Sequence, residues 1–86
     1  MYSSRSFTDG VGDKFWYIDT ISERRMGVWH RLDGPAIIRT NGTRFWWIKG
    51  KQIPARRVEE WMETQEFTEE DFGTNAFMLA FTLTFE

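Results

Sequence analysis

Cysteine is absent from this chain, so neither a disulfide framework nor a thiolate metal site is available to it. Histidine occurs once, at His30, too few to anchor an imidazole metal centre among scattered acids. Proline occurs twice. No apolar run approaches the ~18 residues that span a bilayer, and the first residues, Met1-Tyr2-Ser3-Ser4-Arg5, are followed by no apolar segment of the signal-peptide kind. Lys and Arg are missing altogether after residue 57. These absences lead to the expectation of a cytoplasmic protein with no membrane association, no metal and no cofactor. No nucleophile–base pair or phosphate loop is present, so no enzymatic activity is expected.

What is present is aromatic: eight Phe, five Trp and two Tyr in 86 residues. Aromatic side chains of about 150–250 Å² each can build a core in a single small domain without covalent staples. One aromatic phrase occurs twice. Gly12-Asp13-Lys14-Phe15-Trp16-Tyr17-Ile18 returns as Gly42-Thr43-Arg44-Phe45-Trp46-Trp47-Ile48, with six of seven positions identical or conservatively exchanged. So rare a run implies internal duplication of a small strand unit. Charge is divided as sharply. Residues 1–57 hold all eleven Lys and Arg beside five acids and carry +6, whereas residues 58–86 hold eight acids and carry −8. The halves either neutralise each other on folding or offer patches of opposite sign to partners.

Along the chain, residues 1–10 are polar and are expected to be loosely attached. Residues 14–21 alternate as a strand, and Glu23-Arg24-Arg25 is a charged connection. Residues 26–32 suit a second strand. His30-Arg31-Leu32-Asp33-Gly34-Pro35-Ala36 must turn, since Gly accepts positive φ and Pro withholds a ladder N–H. Residues 36–40 are β-branched, Asn41-Gly42 predicts a type I′ hairpin, and residues 43–48 return. Lys49-Gly50 turns again toward a short strand over 51–53. Pro54 then opens a helix over 55–66, at its first position, with Val58, Trp61, Met62 and Gln65 on one stripe. Thr68-Glu69-Glu70-Asp71 reads as a cap and one short turn. The last segment alternates Phe77, Leu79, Phe81, Leu83 and Phe85 against Met78, Ala80, Thr82 and Thr84, and predicts a terminal strand. The expected fold is α+β over a single domain, 1–86. An antiparallel sheet of four to six strands, with an aromatic hairpin repeat over 12–53, carries one amphipathic helix, and the helix and final strand over 54–86 cap it.

The heptapeptide from His30 to Ala36, followed by Asn41-Gly42-Thr43-Arg44-Phe45-Trp46-Trp47-Ile48-Lys49-Gly50-Lys51, resembles a repeat found in small proteins of T4-like tailed bacteriophages. The repeat there runs His-Arg-x-Asp-Gly-Pro-Ala, a Gly-containing turn, then Trp-Tyr-x-x-Gly. The match covers about residues 27–51 well and 12–18 in part. It stops where a second heptapeptide would begin, at Gln52-Ile53-Pro54-Ala55. The resemblance implies phage origin, a host-cell cytoplasmic location, and a non-enzymatic accessory role in binding and inhibiting a host or anti-phage defence component.

Three sets of residues are candidates for function. Lys14, Trp16, Arg44, Trp46, Trp47, Lys49, Lys51, Arg56 and Arg57 interleave cations with aromatic rings, the chemistry that single-stranded RNA needs, with stacking worth ~1–3 kcal/mol per base. Arg56 and Arg57 open the helix and Glu60, Glu63 and Glu66 lie toward its end, against the macrodipole, which an anion at that N-terminus, a carboxylate from another loop or Arg56–Glu60 pairing would relieve. Glu59, Glu60, Glu63, Glu66, Glu69, Glu70 and Asp71 form an acidic surface suited to a basic protein. His30, Arg31, Asp33, Gly34, Pro35, Asn41 and Gly42 are structural turn residues, with His30 and Arg31 donating hydrogen bonds and Asp33 closing an Asx turn. The leading expectation is therefore an inhibitor or modulator of a host or defence protein, with an RNA-binding module as alternative and a ribonuclease or ribonucleoprotein as a target that joins both. Exposed edge strands and opposite charges also allow a homodimer.

Overall fold

The computed structural model describes residues 4–19 and 27–86. Six antiparallel strands form one sheet: β1 (Arg5–Thr8), β2 (Lys14–Ile18), β3 (Val28–Trp29), β4 (Ile37–Ile38), β5 (Arg44–Ile48) and β6 (Lys51–Ile53). Their order is β1-β2-β4-β5-β6, with β3 paired to the far end of β2. Two helices follow, α1 (Ala55–Gln65) and α2 (Asn75–Phe85), separated by a 3-10 turn at Glu69–Asp71. The chain is α+β, as expected. Thr20 and Ile21, placed at the end of the first predicted strand, lie outside the described residues, as do the Glu23-Arg24-Arg25 connection, Met26 and residues 1–3.

The duplication is larger than the repeated phrase. Phe7 pairs with Phe15 and Thr8 with Lys14; thirty residues on, Ile37 pairs with Phe45 and Ile38 with Arg44. The turns repeat as well. Asp9 N–H donates to Asp13 O and Gly12 N–H to Asp9 O, and Arg39 N–H and Gly42 N–H do the same with Thr43 and Arg39. Gly12 (φ 105°) and Gly42 (φ 91°) take the positive φ that closes each loop. The loop at Asn41-Gly42 is therefore not a type I′ turn, which needs positive φ at both positions. It is a three-residue loop in which only the glycine is left-handed. Residues 5–8, expected to be loose, are the first strand of copy one, and their polar sequence reflects an exposed edge.

The link between the copies is a strand split in two. β3 and β4 both pair with the same side of β2, β3 at Tyr17–Ile18 and β4 at Lys14–Phe15. The residues between them, 30–36, loop out of the sheet, braced by His30 N–H to Trp16 O, Arg31 N–H to Trp47 O and Ala36 N–H to Phe45 O.

The expected terminal strand is α2. Alternating Phe and Leu over eleven residues fits either period, but Phe77, Phe81 and Phe85 also recur at four-residue spacing, one helical stripe. The helix start decides it: Gly73 (φ 86°) breaks the chain and the Thr74 hydroxyl accepts Phe77 N–H at 3.2 Å. Pro54 is the residue before α1 rather than its first helical residue, and Gln65 is exposed while Val58 and Met62 are buried. Trp46 and Ile48 of β5, Val58 and Met62 of α1, and Phe77 and Phe81 of α2 form the main core cluster.

Candidate partner-binding surfaces

The looped-out heptapeptide is built for shape. Arg31 is buried; its Nε donates to Asp33 Oδ1 at 2.7 Å and its Nη1 to the Pro35 carbonyl at 3.1 Å. Its guanidinium lies 3.9 Å from the centre of the Trp16 ring. A Cβ at Gly34 would meet Arg31 Cζ at 2.7 Å, so a larger residue there would displace the guanidinium. His30 is buried, and its Nδ1 accepts Lys49 N–H at 2.9 Å. Burial lowers the His30 pKa from its ordinary value of 6.5; Glu86 opposes that shift and Lys49 adds to it. The Asp33 carboxylate accepts from Arg31 rather than from a turn N–H, and the Asp33 carbonyl accepts Gly73 N–H at 2.8 Å.

Strand alternation separates the residues expected to bind RNA. Lys14, Trp16, Arg44 and Trp46 share one side of the sheet; Phe15, Tyr17, Trp29 and Trp47 share the other. The helices and the 30–36 loop cover the first side. Trp46 has 0% exposure and cannot be a stacking platform, because Phe72, Phe77 and Phe81 surround it at centroid distances of 5.6, 6.1 and 5.6 Å. Trp16 is half-buried beneath Arg31. Lys49 pairs with Glu86 at 3.1 Å, Arg56 with Glu60 at 3.4 Å, and Arg57 lies over Phe85 at 5.5 Å. Arg44 lies 3.9 Å from Glu69 and over Phe72. Lys14 and Lys51 are exposed.

The acidic segment is joined to the basic part by only three ion pairs among the described residues: Arg44–Glu69, Lys49–Glu86 and Arg56–Glu60. Glu59, Glu63, Glu66 and Glu70 are exposed and form none. Asp71 turns inward on its own segment, accepting Thr68 N–H at 2.8 Å in a capping box. No group of three metal-binding side chains occurs among the described residues, and no described helix is long and apolar enough to cross a membrane.

Two surfaces were not foreseen from the sequence. The first is the outer side of α2. This helix has no charged residue, and Leu79 and Leu83 are 61% and 86% exposed on the side opposite Phe77 and Phe81. Read as a strand, these leucines shared a face with the phenylalanines; the helical period turns them outward. The second is a cleft of about 630 Å³ at the end of β2, walled by Phe7, Tyr17, Trp29 and Trp47 with Asp19 at its edge. Phe7 went unnoticed because it sits in a polar stretch. Comparison of the chain with protein-family models, with curated proteins and with solved structures returned no match.

Proposed function

We propose that this protein is a small non-enzymatic binding protein that attaches to, and inhibits or modulates, a protein of a host cell or of an anti-phage defence system. The observation that carries this is the outer stripe of α2. Burying a leucine is worth about 1.5–3 kcal/mol, yet Leu79 and Leu83 stand in water on one line of a charge-free helix, with exposed Ala76 beside them. The acidic turn before α2 and Glu86 after it add charged flanks, the apolar-centre and polar-rim pattern of an interface. The phage-repeat resemblance supplies the class of target. RNA binding is the weaker alternative, since the uncovered aromatic rings lie on the side of the sheet opposite Lys14 and Arg44.

The test is capture from host lysate with tagged wild-type protein and with Leu79→Glu/Leu83→Glu. A stoichiometric partner lost in the variant, at unchanged melting temperature, supports the proposal. Retention of the partner overturns the assignment to α2. Light scattering of the protein alone reads the homodimer, and an RNA titration at about 50 and 200 mM salt reads phosphate contacts.

A further inference from the structure

We infer that the aromatic cleft is a second binding site, for a guanidinium side chain presented by a partner. Its walls are aromatic rings, and Phe7 and Trp29 each stack one face on Phe15 at 4.9 and 5.2 Å. Phe7 and Trp29 stand 6.4 Å apart between centroids, Phe7 and Tyr17 stand 5.9 Å apart edge to face, and Trp47 completes the lining. Asp19 is its one charged lining residue among those described. Ring faces are electron-rich and attract cations, most strongly on Trp. A carboxylate beside them adds to that preference and repels phosphate.

The molecule already shows which cation suits such a place. Arg5 Nη1 sits 3.0 Å from Asp19 Oδ2, with both side chains largely in water, so the carboxylate at the cleft edge already accepts a guanidinium. Elsewhere three aromatic rings are topped by arginine: Trp16 by Arg31, Phe72 by Arg44 and Phe85 by Arg57. Trp29 and Trp47 have no such cover among the described residues. The cleft volume of about 630 Å³ is in the range of small-ligand sites and admits an arginine side chain with its flanking backbone.

The probe is acetyl-arginine amide, with acetyl-citrulline amide as its neutral isostere, titrated into the full chain while the indole N–H signals of Trp29 and Trp47 are followed by NMR. Arginine amide is expected to shift both signals saturably, with roughly fivefold or greater preference over citrulline amide. Asp19→Asn should reduce that preference without loss of fold. Arg5→Ala should strengthen binding by releasing Asp19, an effect no purely structural role predicts. Equal responses to the two amides overturn the inference. So does a short oligouridine that shifts the same signals more strongly, which would return the cleft to nucleic acid.

Discussion

The two copies of the hairpin share backbone, register and turn, and differ in what lies on their tryptophans. Trp46 of copy two is sealed by two helices; Trp16 of copy one is half-covered by one arginine. A duplicated backbone thus does not imply duplicated energetics. Copy two belongs to the core, and copy one is held to it by the β2–β4 pairing, the looped-out heptapeptide and the contact between the turns.

The largest expected contrast is between the tryptophans. Trp46→Ala should cost about 3–5 kcal/mol, a large share of what stabilises a domain this small. Trp16→Ala should cost about 1–2 kcal/mol, from lost stacking and partial burial. Urea unfolding of the two variants checks this, and equal losses would break the comparison.

The polar contact between the turns comes next. Asp13 is buried, accepts Thr40 N–H at 2.8 Å and pairs with Arg39 at 2.9 Å, clamping one turn to the other. Asp13→Ala should cost about 1–3 kcal/mol by stranding that N–H. The equivalent Thr43→Ala, at an exposed site, should stay within about 0.5 kcal/mol.

The turn glycines give a smaller contrast. Gly42→Ala meets no neighbour and should cost about 1–2 kcal/mol for its left-handed φ alone. At Gly12 the added Cβ would also sit 3.0 Å from the Thr40 methyl, so Gly12→Ala should melt at a lower temperature than Gly42→Ala.

The smallest effect concerns the joining loop. The folded His30 pKa lies below 6.5, so the unfolded chain binds the proton more readily. This contribution is complete above that pH and is lost as pH falls through it. The melting temperature should therefore drop between about pH 7.5 and 5.5, and His30→Gln should flatten that slope while leaving the response at lower pH to carboxylates.

Much of the sheet was legible because period-two patterning, Gly12, Gly42 and the Lys49-Gly50 turn speak locally. α1 was legible from Val58, Trp61 and Met62. α2 was not, because an apolar run with both periods is settled by its cap at Thr74 rather than by its pattern. The first strand was missed because an edge strand such as Arg5–Thr8 needs no hydrophobic alternation. The cleft was beyond reach for another reason: Phe7, Tyr17, Trp29 and Trp47 come from four strands, and only register brings them together.

Every buried member of the core cluster lies at or beyond residue 46. In evolutionary terms, selection for folding then falls mainly on the latter half of the chain. The first hairpin carries less of that duty, with Ile18 its one buried apolar side chain among the described residues. Its outer side can exchange one aromatic residue for another, or gain and lose charge, at little risk to the fold. A lineage pressed to follow a changing partner would find in copy one the place where sequence can move fastest.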